Sequence, residues 1–126
     1  MAHYYITHII MSHKEHIHRK KIKIVVYVPE SHTEAVRNAL GDAGGGHIGN
    51  YSHCTFTTKG VSRFKPLVGS NPVEGTLGKI SEVVEDKIET VCLREDLERV
   101  LAAIEDAHPY EEPAIDIYPI EEIDQI

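Results

Sequence analysis

The sequence predicts an α+β fold with the order βαββαβ: an antiparallel four-stranded sheet with two helices on one face. Three observations predict it. Segments of two-residue apolar alternation recur four times along the 126 residues. Two segments of helical spacing separate them, one after the first strand and one before the last. The length suits one domain with a single core, and no apolar run reaches the roughly 18 residues a membrane span needs.

The elements follow in order. Over residues 21–28, Ile22, Ile24, Val26 and Val28 fall on one face, while Lys23, Val25 and Tyr27 fall on the other. That alternation is a strand with one buried face, and Pro29 ends it. Ser31 and Glu34 stand at the spacing of a capping box, where a hydroxyl takes one orphan amide and a carboxylate reaches back to another. A helix then carries Ala35, Val36, Ala39, Leu40 and Ala43 at helical spacing, and Gly44, Gly45 and Gly46 stop it. A second strand is expected over 51–58, with Cys54 and Phe56 on one face and His53 and Thr55 on the other. Lys59-Gly60 reads as a turn. Residues 61–80, rich in proline and glycine, read as a long irregular excursion.

A third strand over about 83–93 carries Ile88, Thr90 and Cys92 on one face, and Val91 and Leu93 on the other. A helix over about 95–107 follows, with the stripe Leu97, Val100, Leu101 and Ile104. Pro109 and Pro113 bracket a turn. A last strand over 114–120 alternates Ile115 and Ile117 against Asp116 and Tyr118. Two strand–helix–strand halves of this kind make a ferredoxin-like sheet. The second sheet face is partly apolar through Val25, Tyr27, Val91 and Leu93, which predicts a homo-oligomer, dimer or trimer.

Residues 1–19 stand apart. They hold His3, His8, His13, His16 and His18, five of the nine histidines. They read as a disordered or cloning-derived leader, with Met11 an alternative start, ahead of a single domain over 20–126. A His-rich tract of this kind also binds metal.

The net charge is −7 and uneven. Residues 1–23 carry five Lys or Arg against one acid, and eight Asp or Glu but no Lys or Arg follow Arg99. That balance argues against a nucleic-acid binder and against an anionic membrane surface as partner. Two cysteines make no disulfide framework and point to a reducing, cytoplasmic setting.

Three clusters carry candidate chemistry. Gly44, Gly46 and Gly49 match G-x-G-x-x-G, but after a helix and before a strand, the reverse of a dinucleotide site; a helix stop, or a small anion nest, is the alternative. Cys92 reads as a small buried hydrophobe. The run His108-Pro109-Tyr110-Glu111-Glu112-Pro113 is the densest polar cluster. Imidazole with carboxylates suits a divalent metal such as Cu or Zn, with His108, Glu111 and Glu112 as ligands. The same groups serve equally to hold a helix end or a subunit contact, or, as a third reading, an acid–base pair built on His108. No hydrolase or P-loop motif is present, so an enzyme is not expected.

The run 108–113 and the strand Ala114-Ile115-Asp116-Ile117-Tyr118-Pro119 resemble the C-terminal signature of CutA divalent-ion tolerance proteins. Other stretches resemble the YqfO-like module, the domain inserted in bacterial Nif-three-like proteins. They are Tyr27-Val28-Pro29-Glu30-Ser31-His32, Ile48-Gly49-Asn50-Tyr51 with Cys54, and the set Phe64, Pro66, Leu67, Gly69, Asn71 and Pro72, followed by Glu89-Thr90-Val91. The resemblance covers about residues 21–120. It implies a fold shared with CutA and PII signalling proteins, and subunits that assemble, commonly as trimers. It implies copper at His108 by the CutA match, and ligands in subunit clefts by the PII match. Gly46, Asn50, Tyr51 and Tyr110 are the ligand-binding candidates, from the loops expected to line such clefts. The flanking halves that carry the two-metal site of Nif-three-like proteins are not in this chain, so that hydrolase activity is not implied. What is implied is a regulatory or binding module, or an interaction subunit of a separate Nif-three-like partner.

Overall fold

In the computed structural model, residues 20–123 are described. The expected leader at 1–19 lies outside them. The elements are β1 (Lys21–Pro29), α1 (Thr33–Asp42), β2 (Phe56–Phe64), β3 (Ser81–Leu93), α2 (Leu97–Ala107) and β4 (Ala114–Ile120), with a 3-10 turn ahead of each helix. The sheet order is β2-β3-β1-β4, and every pairing is antiparallel. This is the ferredoxin-like arrangement.

The register explains the core. Ile22, Ile24, Val26 and Val28 of β1 face the same side as Ile88, Thr90 and Cys92 of β3. Both helices close that side: Val36 and Leu40 from α1, and Leu97, Val100 and Ile104 from α2, join one buried cluster with those strand residues. Burial also pushes the Cys92 thiol up to about 11, so it stays a protonated hydrophobe, as the sequence suggested.

Several local expectations fail for physical reasons. The capping box does not form. A 3-10 turn, Glu30–His32, leads into α1, and the Ser31 hydroxyl pairs with His32 Nδ1 at 2.8 Å. Ala35 is exposed, and the face of α1 that packs is Thr33, Val36, Leu40 and Gly41.

The second strand begins five residues later than expected. Residues 51–55 are a loop, so His53 and Cys54 are not neighbours on a strand. His53 takes a positive φ of 60° and packs its ring on Gly41, where a Cβ would lie 2.0 Å from the ring. Lys59-Gly60 is mid-strand rather than a turn. Lys59 is held there by Asp86 of β3 at 3.1 Å and by Glu30. The irregular excursion therefore starts at residue 65, and it joins β2 to β3 as a 65–80 loop.

Candidate functional site

The 65–80 loop folds back over the end of the sheet where β2, β3 and β1 meet. Its own turns hold it: the Gly78 amide donates to the Pro66 carbonyl at 2.8 Å, and the Ser70 amide to the Leu67 carbonyl at 3.0 Å. The 108–113 turn pins it from the other side, because the Glu111 carboxylate accepts the Asn71 amide at 3.0 Å. Between loop, turn and sheet lies a cleft of about 500 Å³. Tyr27, Phe64, Pro72 and Val73 supply much of its apolar wall; Ser62, Glu74, Glu85 and Tyr110 supply polar groups.

Two polar groups in this cleft are unusual. Glu85 is only 6% exposed although it sits in mid-strand, and its carboxylate accepts the Ser62 hydroxyl. The Tyr110 hydroxyl is buried and has no hydrogen-bond partner. Glu85 lies near enough to act on it. Burial, then the negative charge of Glu85, pushes the phenol well above its ordinary range, so it stays protonated. Buried polar groups are normally satisfied, so this hydroxyl departs from the rule.

Of the three uses the sequence left open for His108, its hydrogen bonds suit the structural one. It is 7% exposed. Its Nε2 donates to the Tyr27 carbonyl at 2.7 Å, and its Nδ1 accepts the Tyr110 amide at 3.2 Å; those partners assign the tautomer. Its ring stacks obliquely on Tyr110, with centroids 5.1 Å apart. Burial holds its pKa below the usual imidazole value, against the pull of the Tyr27 carbonyl and of Glu85. With both nitrogens engaged, the ring offers a metal no lone pair, and an acid–base role has no free nitrogen to use. His108 is the strut that ties the turn to β1 and aims Tyr110. Among the described residues, no three His, Cys, Asp or Glu side chains converge on one point. Glu111 clips the loop, and Glu112 is exposed at the cleft rim.

The other ligand-binding candidates lie elsewhere. Gly46 donates its amide to the Val91 carbonyl at 2.7 Å and accepts the Cys54 amide at 2.9 Å. Its φ is +78°, and a Cβ would sit 2.5 Å from Cys54 backbone atoms, so only glycine fits this stitch between loop and strand. Asn50 and Tyr51 are exposed, with Tyr51 bridging back to Ile48. These three belong to the opposite end of the sheet, near Lys23 and Val91. Lys23 and Tyr27 are four residues apart on β1, about 13 Å. The structure therefore separates Gly46, Asn50 and Tyr51 from Tyr110 within one subunit. A second recess near Lys23, Cys54 and Phe56 has its charges already paired, Lys23 to Glu89 at 2.7 Å.

Sequence reasoning missed Glu85, Tyr27 and Ser62 as site residues. Glu85-Asp86, two adjacent acids in mid-strand and therefore one on each face of the sheet, was the available signal.

Comparison with known proteins agrees with this architecture. No protein-family model matches the chain. A curated relative from Halalkalibacterium halodurans, named GTP cyclohydrolase 1 type 2 homolog, is 54% identical over 98 residues, 78% of this chain and 26% of the relative. The crystal structure of a Bacillus cereus protein related to NIF3 superposes with a TM-score of 0.74 at 46% identity, over 82% of this chain and 26% of that one.

The chain is a homologue of one segment of the Nif-three-like proteins.

It spans about a quarter of the length of the curated relatives it matches. CutA from Archaeoglobus fulgidus shares the fold of this Nif-three-like segment, with a TM-score of 0.60 at 18% identity over 83% of this chain and 88% of that one. So does a Bacillus subtilis GlnK, at 0.57 and 13%, over 82% and 86%. Among the described residues, no helix is long and apolar enough to cross a membrane.

Proposed function

We propose that this Nif-three-like segment is a non-enzymatic, oligomeric binding module of the cytoplasm that takes a small molecule in the cleft beside Glu85 and Tyr110. The observation that supports it is the buried Tyr110 hydroxyl, left without a partner at the wall of a preformed cleft. The volume falls in the range of small-molecule sites. Among the described residues of the cleft, the Ser62 hydroxyl meets the Glu85 carboxylate alone, with no imidazole or amine beside it to complete a nucleophile's activation, which favours binding over turnover.

Assembly of copies of the chain is supported by exposed apolar side chains beside the cleft. Val68 is 96% exposed, and Leu67, Val73, Leu77 and Ile80 accompany it on the 65–80 loop. Phe56 and Val61 add to them along the edge strand β2. Metal binding at His108 would require its ring to leave both hydrogen bonds, which favours a small molecule over copper or zinc as the occupant.

The test is amide chemical-shift mapping of the full chain against a fragment set spanning cationic, neutral and anionic compounds. Tyr110→Phe is run beside it, and sedimentation gives the oligomer mass. Compounds that move the amides of Ser62, Asn71 and Tyr110 together, with weaker shifts in Tyr110→Phe, are the expected result. If no compound of any charge moves them, the cleft is architecture.

A further inference from the structure

The chemical class of the occupant follows from the charges around the cleft. Glu85 is a mid-strand carboxylate, 6% exposed, that accepts the neutral Ser62 hydroxyl and lies near the neutral Tyr110 phenol. Among the described residues it has no ion pair. A buried carboxylate with only a neutral partner is expensive, and such groups ordinarily face a cation. Arg63, the cation at the rim, is already committed to Glu82 at 3.0 Å. Glu74 and Glu112 add further negative charge at the mouth. Three aromatic rings, Tyr27, Phe64 and Tyr110, line the same space.

We propose that the cleft takes a small organic cation, an ammonium group on an apolar body, with Glu85 as counter-charge and the aromatic rings as walls; this deepens the binding reading above and rests on it. An ammonium group gains from a carboxylate at hydrogen-bond range and from ring faces within about 6 Å. It donates, so the Tyr110 oxygen can accept from it, which gives the orphan hydroxyl a partner for its lone pair. A phosphate or carboxylate ligand would meet repulsion from Glu74, Glu85 and Glu112. A bare metal ion needs several converging ligands, and the described residues hold no such set.

The experiment titrates the full chain with three probes of one shape: phenethylamine, phenethyl alcohol and phenylacetate, at neutral pH and low salt. Amide shifts locate each probe and calorimetry gives its affinity. The amine is expected to bind about tenfold tighter than the alcohol, with phenylacetate weakest. Added salt should weaken the amine and leave the alcohol unchanged. Glu85→Gln should bring the amine close to the alcohol while the alcohol's own affinity holds, which also shows that the variant is folded. Glu98→Gln, on the exposed side of α2, should change neither. Should Glu85→Gln not fold, the amine-to-alcohol ratio and its salt dependence in the unaltered chain decide the matter. Equal affinity for amine and alcohol, or tightest binding of phenylacetate at this cleft, overturns the cation assignment and leaves the binding reading standing. Failure of every probe and of the wider fragment set to move the cleft amides overturns both.

Discussion

Glu85 and Asp86 are adjacent on β3, both buried, and they point to opposite faces of the sheet. Asp86 faces the helix side. It accepts the Thr33 hydroxyl at 2.6 Å and the Lys59 ammonium at 3.1 Å, and those contacts, the Thr33 bond first, hold its pKa below the usual carboxylate value. Glu85 faces the cleft, with a hydroxyl for a partner and an unsatisfied phenol beside it. The same chemistry in the same strand is thus completed on one face and left incomplete on the other. The completed carboxylate fastens β2 and the start of α1 to β3. The incomplete one leaves interaction capacity at a surface that a ligand can reach. Local departures from full satisfaction are where function is expected to reside.

The difference can be broken from either side. The largest expected effect is on the completed face. Asp86→Ala leaves the buried Thr33 hydroxyl only its long 3.5 Å contact to the Pro29 carbonyl and leaves Lys59 to Glu30 alone, and it should cost about 1–3 kcal/mol in urea unfolding. A loss no greater than for an exposed substitution would mean the Asp86 contacts do not hold the edge strand.

The next effect belongs to His108, which supports the cleft face. Its folded pKa lies below the ordinary 6.5, so the unfolded chain binds the proton more readily than the folded one. Stability should therefore fall as pH drops below about 6.5, and that slope should flatten in His108→Gln. Melting curves between pH 7.5 and pH 5 read it directly. His32 and Glu85 are the charged groups that act on the ring, so the slope is compared in the His32→Gln background as well. An unchanged slope in His108→Gln would assign the acid sensitivity to other groups.

The smallest effect is on the incomplete carboxylate itself. Glu85→Gln keeps an acceptor for Ser62 and removes a buried charge, so stability should shift by no more than about 1 kcal/mol, in either direction. A cost as large as that of Asp86→Ala would make Glu85 a second fastening and erase the contrast.

Much of the fold was legible because its signals are local and periodic. The alternation of Ile22, Ile24, Val26 and Val28, and the stripe Leu97, Val100, Leu101 and Ile104, state which side of each element is buried, and the structure buries all of them but Leu101, which is half-buried against the same core. The β2 strand was misplaced because it is an edge strand with one partner, so its sequence carries weak apolar alternation. What holds Lys59 and Gly60 in a strand is Asp86, some 27 residues away. The candidate site was legible in part: Tyr110 and the 108–113 turn were singled out, whereas Glu85 and Tyr27 were not.

The sequence by itself determined the order of elements, the buried faces of β1, β3 and α2, and the nature of Cys92, and it singled out the 108–113 turn. Each of these depends on contacts whose pattern repeats every two or every three to four residues, and such patterns are written in the chain. Only the tertiary structure decided that His108 spends both nitrogens inside the fold, that Gly46 and Tyr110 lie at opposite ends of the sheet, and that Glu85 and Tyr110 meet over one cleft. Those facts depend on strand register and on the path of a long loop, which bring together residues that no local period connects.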